Sequence, residues 1–275
     1  MENGIFNHVI SDNVSGSGSI VNQLQEALLR LATGGEPINL QALYTELKQF
    51  REHFPQFGIL VHFLKSFDDT FHGHAEIKND NLVNFVLNYR EKWDNVQKKV
   101  IQSFCDEVGL SGKTVLLHSN SSTIHQLFKN NFTQTPLIYQ TLSSPANEGI
   151  IQAKVLSKMG FKVQLFHEDA LSKYISHIDF AILGADLILN DIFLNKIGSF
   201  SIALLCNYFN KSVYVLADRR KKLEMKEISR EDLQLFKHEQ PKPANEITVE
   251  NIEGVRVLNE YFEFIPLNLI DKVFL

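Results

Sequence analysis

Cysteine is scarce: Cys105 and Cys206 are the two in 275 residues. Neither sits in a metal or redox spacing, which excludes a disulfide framework and makes a reducing cytoplasm the default expectation. Long apolar runs are also missing, and the longest fall far short of the roughly 20 residues of a membrane span. Positive charge is not in excess. Lysine and arginine number 27 against 32 aspartate and glutamate, a net charge of -5, which argues against a protein built to coat nucleic acid or an acidic membrane. The start Met1-Glu2-Asn3-Gly4 lacks a basic region before an apolar core, so no signal peptide is expected. Cofactor fingerprints are absent too. Gly16-Ser17-Gly18 has no strand before it, and Ser111-Gly112-Lys113-Thr114 lacks the upstream glycine of a phosphate loop and leads into a strand. His72-Gly73-His74 lacks a third ligand at a fixed spacing. No cofactor and no metal are therefore expected.

What is present is ordinary globular composition, 44% hydrophobic and 21% charged, with enough length for one large or two modest domains. The first 110 residues read as helices. Ile20, Val21, Leu24, Ala27, Leu28 and Leu31 fall at helical spacing after Ser15-Gly16-Ser17-Gly18-Ser19. Further helices are expected from Leu40 towards Phe50, over residues 59–71, and as one long helix over residues 81–108 that stops at Gly109. This half reads as an antiparallel helical domain, residues 1–110.

Residues 111–275 change pattern. Strand-like Thr114-Val115-Leu116-Leu117, Leu137-Ile138-Tyr139, Phe161-Lys162-Val163-Gln164-Leu165-Phe166, Phe180-Ala181-Ile182-Leu183 and Val213-Tyr214-Val215-Leu216 alternate with helical stretches. The expected fold is α/β, with a Rossmann-like, mostly parallel sheet. Ligands of such sheets bind at the carboxyl ends of the strands, here His118-Ser119-Asn120-Ser121, Ser143-Ser144-Pro145, Gly184-Ala185-Asp186 and Ala217-Asp218. Residues 219–246 form a polar excursion with eight Lys/Arg against six Asp/Glu, ending in the loop-like Gln240-Pro241-Lys242-Pro243. A solvated loop or surface helix is the plain reading; a phosphate- or partner-binding excursion is the sharper one.

The chemistry concentrates in Gly184-Ala185-Asp186 and in Asn195-Lys196-Ile197-Gly198-Ser199, which begins nine residues after the aspartate. Asp186 falls at the end of a strand, and Lys196, Gly198 and Ser199 fall at the start of the next helix, residues 199–209. The N–H groups and positive dipole of a helix start suit an anion. A carboxylate beside it suits a phosphorylated ligand that also carries a hydroxyl. Glu148 opens its own helix just after Pro145, where the dipole favours an acid. Ser119 follows His118 directly, a poor geometry for nucleophile and base.

In order, these segments resemble one family: the alpha, beta and delta subunits of eukaryotic translation initiation factor 2B, together with the isomerases of methylthioribose-1-phosphate and ribose-1,5-bisphosphate. Ser143-Ser144-Pro145-Ala146-Asn147-Glu148-Gly149 resembles the family's Ser-Arg-Pro segment. Gly184-Ala185-Asp186 through Asn195-Lys196-Ile197-Gly198-Ser199 resembles its Gly-Ala-Asp and Asn-Lys-Ile-Gly-Thr block. Phe262-Glu263-Phe264-Ile265-Pro266-Leu267-Asn268-Leu269-Ile270-Asp271 resembles its C-terminal segment, and Ser15-Gly16-Ser17-Gly18 is a weaker match to its Arg-Gly-Ala turn. The resemblance implies homodimers joined through the C-terminal domain. It also implies a pocket in which Gly16, Glu148, Asn195, Lys196, Gly198 and Ser199 bind ligand, with Asp186 at the catalytic position.

The departures matter as much. Ser119 stands where the isomerases have their catalytic cysteine, Ser15 and Ser144 stand where the family has arginine, and Glu148 replaces a glutamine. A serine hydroxyl is far less acidic than a thiol, whose pKa is about 8.5. Lysine does not reproduce the bidentate fork of arginine on a phosphate. The expectation is a cytoplasmic translation-factor-like protein with a remnant pocket for a phosphorylated metabolite or nucleotide. The competing expectation is a divergent isomerase using Asp186 and Ser119, for which the sequence places no helper base.

Overall fold

The computed structural model describes residues 5–12, 15–35, 37–130, 132–237 and 242–275. The readings of Met1 to Gly4 and of Gln240 and Pro241 fall outside the described residues.

The amino-terminal half packs helices α1 (Asn7–Ile10), α2 (Ser17–Leu31), α3 (Leu40–His53), α4 (Gly58–Phe71) and α5 (Asn79–Trp93), with a short antiparallel ladder of β1 (Ile38–Asn39) and β2 (Glu76–Ile77). The helical spacing of apolar residues becomes one buried face: Ile20, Val21, Leu24, Ala27 and Leu28 of α2 are all buried. Asn39 caps α3, its side chain accepting the Ala42 N–H at 2.9 Å and satisfying one of the orphan donors of a helix start. Phenylalanine supplies much of the core. Phe63, Phe67 and Phe71 repeat at four-residue spacing along α4 and meet Phe85 of α5 edge-on or tilted, arrangements that aromatic quadrupoles favour.

The long helix expected over residues 81–108 is two. α5 ends at Trp93, and α6 (Val96–Glu107) starts after Asp94 and Asn95. The break follows from packing. α5 faces the helical core through Leu82, Val86 and Tyr89, whereas Val100, Ile101 and Phe104 of α6 pack with Val115, Leu117 and Phe180 of the sheet. Apolar periodicity alone runs through the junction and does not say which core each turn faces. α6 thus packs with the core of the sheet and α5 with that of the helices.

The second half is built on β3 (Thr114–Leu117), α7 (Ser122–Leu127), β4 (Leu137–Thr141), α8 (Gly149–Lys158), β5 (Lys162–Phe166), α9 (Leu171–Tyr174), β6 (Phe180–Leu183), β7 (Leu187–Ile188), β8 (Ile192–Lys196), α10 (Ser199–Tyr208), β9 (Ser212–Leu216), α11 (Arg230–Lys237), β10 (Phe262–Pro266) and β11 (Lys272–Phe274). Six strands form a parallel sheet in the order β11-β9-β6-β3-β4-β5. Read outward from β3, this is the doubly wound order of dinucleotide-binding folds, with its switch point between β3 and β6. The expected Rossmann-like sheet is therefore present. β8 pairs antiparallel with β7 and β10 in a separate three-stranded ribbon, which the sequence reading did not anticipate. As a result Asn195 and Lys196 end a strand, and Lys196 does not fall at the start of the helix as expected.

Candidate functional site

The switch point opens into a cavity of about 290 Å³ between the helical half and the sheet. Ser119, Asn120 and Ser121 reach it from the end of β3, Gly184 and Asp186 from the end of β6, and Asn195 and Lys196 from β8. Gly16, Ser17 and Gly18 bring the start of α2 to the opposite wall, and Glu148 enters from the turn before α8. Gly149 makes that last placement possible. A Cβ there would lie 2.0 Å from the Thr141 carbonyl oxygen, so only glycine lets the turn close against β4.

Ser119 adopts φ 66°, and its N–H donates to Ser143 Oγ at 2.7 Å. Its hydroxyl donates to Glu148 Oε1 at 3.0 Å. The sequence alone does not bring Glu148 to Ser119; the fold does, as this hydrogen bond shows. Glu148 Oε2 in turn lies 3.0 Å from Lys196 Nζ, with side-chain exposures of 12% and 3%. Burial raises the Glu148 carboxyl above its ordinary range, against the pull of Lys196. Lys196 Nζ also sits 4.3 Å over the Tyr261 ring, a favourable cation–π contact. The contact with Glu148 is an ion pair through one carboxylate oxygen, and neither Lys196 Nζ nor Glu148 Oε2 completes a well-aligned hydrogen bond. Asn120 Oδ1 and His125 Nε2, from two other residues of the cavity wall, are likewise buried without a hydrogen-bond partner. Buried polar groups are normally paired; here Asn120, His125 and, beyond their ion pair, Glu148 and Lys196 hold hydrogen-bonding capacity around one cavity.

Asp186 accepts from Ser17 Oγ at 2.7 Å and lies 3.6 Å from Lys221 Nζ. Its N–H donates to the Leu194 carbonyl at 2.8 Å, which ties the end of β6 to β8. The first turn of α2 has Gly16 at its cap position and no side-chain cap, so its orphan N–H groups lie in the cavity wall. His118 is fully buried. Thr141 Oγ1 lies 2.6 Å from its Nδ1 and the Ile197 carbonyl 2.9 Å from its Nε2. The carbonyl only accepts, so Nε2 carries the proton and Nδ1 accepts from the threonine. Burial lowers the imidazole pKa to about 4. His118 is thus a neutral strut between β4 and the β8–α10 turn, the packed imidazole that its sequence position suggests.

The start of α10 differs from expectation. Gly198 (φ 100°) caps it, and the ring of His118 approaches within 3.0 Å of where a Cβ would stand. The N–H groups of Gly198 and Phe200 both donate to Glu263 Oε1, at 2.7 and 2.8 Å. The chain's own carboxylate fills the anion site that the dipole creates. Ser199 is buried, donating to the Lys196 carbonyl at 2.6 Å and accepting from Asn195 Nδ2 at 2.8 Å. Gly198 and Ser199 therefore do not line the cavity, whereas Gly16, Ser119, Glu148, Asp186, Asn195 and Lys196 do. Glu263 was missed because the carboxylate comes from β10, far along the chain, and only the antiparallel ribbon brings it to α10.

Both ends of the polar excursion return to this site, Lys221 donating to the Ala185 carbonyl at 2.6 Å and Lys242 lining the cavity. Arg220, just before Lys221, is instead paired with the buried Asp218 at 2.6 Å. Asp218 thus ends its strand in a local ion pair. Among the described residues, no helix is long and apolar enough to cross a membrane.

Known proteins share this architecture. A ribose 1,5-bisphosphate isomerase of Methanocaldococcus jannaschii is 30% identical over 59% of this chain, and the match spans 53%, about half, of that relative. A translation initiation factor eIF-2B subunit 2-like protein of Pyrococcus abyssi is 22% identical over 97% of this chain and 91% of its own length. The crystal structure of the Pyrococcus horikoshii translation initiation factor eIF-2B superposes with a TM-score of 0.75 at 20% identity, covering 98% of this chain and 93% of that one. The sequence pattern of the initiation factor 2 subunit family matches residues 14–274, and the chain belongs to that family.

Proposed function

We propose that this chain is a cytoplasmic, translation-factor-like member of its family that binds a phosphorylated small molecule in the switch-point cavity without ordinary isomerase turnover. One observation carries the reading: the buried Lys196 ammonium, which Glu148 engages through one oxygen, shares a cavity with the uncapped start of α2. The phosphate is assigned to Lys196, and the sugar hydroxyls to Asp186, Glu148 and the start of α2, where Gly16 permits close approach, with Asn195 holding the ribbon in place through Ser199. The low catalytic capacity is argued from Ser119 in place of the family cysteine and from the missing arginines at Ser15 and Ser144.

The second reading, a divergent sugar-phosphate isomerase, draws on the 3.0 Å contact of Ser119 with Glu148. A carboxylate whose pKa is raised by burial is a better proton acceptor than an ordinary one. A homodimer is proposed as well. Phe200, Leu204 and Tyr208 form an exposed stripe along α10, at 37%, 49% and 77% exposure, and such apolar patches mark association surfaces. A thermal-shift screen of sugar phosphates against their parent sugars tests the binding reading. Stabilisation of about 2.7 kcal/mol is expected at 100 times the dissociation constant. Turnover of methylthioribose-1-phosphate or ribose-1,5-bisphosphate near about 1 per second or faster, the ordinary enzyme range, would replace the first reading by the second.

A further inference from the structure

Lys242 belongs to the polar excursion yet stands in the cavity wall. Its ammonium lies 4.8 Å over the ring of Tyr261, the same ring that holds Lys196 at 4.3 Å. Two ammonium groups from distant parts of the chain thus share one aromatic side chain, itself only 6% exposed. The arrangement is built. The Tyr261 hydroxyl donates to both oxygens of Glu246, at 2.5 and 2.6 Å. Asn259 Nδ2 donates to the Pro243 carbonyl at 2.7 Å and to Glu246 at 2.8 Å. These bonds clasp the segment next to Lys242 onto the stretch that carries Tyr261 and leads into β10. Its charge reaches into the site: together with burial it holds the nearby His53 imidazole below its ordinary range.

We propose that Lys242 is a ligand-contacting residue of the cavity, and that it and Lys196 grip one anionic group of the ligand at the Tyr261 end. The inference rests on the reading that the cavity binds a phosphorylated molecule, and adds a specificity residue supplied by the excursion. The ligand class it selects is a phosphorylated polyol or sugar whose charged group reaches the Tyr261 ring. The parent sugar, lacking that group, gains nothing from Lys242.

The test is calorimetric titration of the full chain with ribose 5-phosphate and with ribose. The variants are Lys242→Ala, Lys242→Arg and Lys196→Met, each checked for an unchanged melting transition or corrected for it. Lys242→Ala is expected to weaken ribose 5-phosphate about fivefold to tenfold, the scale of one partly screened charged hydrogen bond. Lys242→Arg is expected to recover most of the loss, and any binding of ribose should not change. If Lys196→Met weakens the phosphate ligand and Lys242→Ala does not, the inference falls while the cavity reading stands. An equal loss of ribose and ribose 5-phosphate in Lys242→Ala also overturns it. If the unmodified chain binds neither compound at millimolar concentration, the cavity reading fails and the inference with it.

Discussion

Glu148 and Lys196 meet at 3.0 Å in the cavity wall, at 12% and 3% side-chain exposure. Removing one partner of a buried ion pair leaves an uncompensated charge and costs about 3–5 kcal/mol, whereas removing both is far milder. Chemical denaturation of Glu148→Gln, Lys196→Met and the double variant should therefore show a double that is more stable than the sum of the singles predicts. Additive losses would mean that the two groups are independently solvated.

Glu263 caps α10 through two backbone N–H groups. Glu263→Ala should lower stability by about 1–2 kcal/mol, the loss of a helix cap with its dipole interaction. The same variant should leave the affinity for a phosphorylated ligand unchanged, because the ligand's anion is assigned elsewhere. A large change in affinity would return the anion site to α10.

His118 is buried neutral, with its pKa lowered to about 4 from an ordinary value of 6.5. Between those values the unfolded chain binds a proton that the folded chain does not, so stability falls as pH drops through that window. By linkage the loss approaches about 3 kcal/mol near pH 4. Glu148, whose pKa is raised, acts in the opposite sense above its ordinary value, so the comparison must be made with a His118→Gln variant in the same background. The variant should lose the histidine part of the slope. Parallel pH profiles for the two proteins would show that His118 titrates normally in the folded state.

The exposed stripe of Phe200, Leu204 and Tyr208 predicts self-association through α10. Sedimentation at micromolar concentration should give a dimer for the unmodified chain and a monomer for Leu204→Glu. A monomer in both cases would leave the stripe without the proposed partner.

Local signals carried the sequence reading a long way. The alternation of short β-branched runs with helical stretches gave the parallel sheet, and the carboxyl ends of β3 and β6 gave the cavity. Ser119, Glu148, Asp186, Asn195 and Lys196 converge there with Gly16, as the motifs suggested. What local pattern does not carry is partner choice at long range. The apolar face of residues 81–108 is continuous, and only the two cores it meets reveal the break at Asp94 and Asn95. The dipole argument found a real anion site at Gly198 and Ser199, but not that Glu263 already fills it from β10. The acid at position 148 reads as a first-turn residue, and its contacts with Ser119 and Lys196 emerge only where the ends of β3 and β8 meet at the cavity.

The central claim is that the cavity binds a phosphorylated ligand through the buried Lys196. Titration of ribose 1,5-bisphosphate or ribose 5-phosphate into the unmodified chain and into Lys196→Met tests it most directly. Methionine keeps the packing of the lysine stem, and the stranded Glu148 carboxyl can neutralise by taking up a proton. The account predicts binding by the unmodified chain and a loss of at least about tenfold in the variant, as expected for a charged hydrogen bond of roughly 1.5–3 kcal/mol. Equal affinity in the two proteins would contradict it and place any ligand site elsewhere.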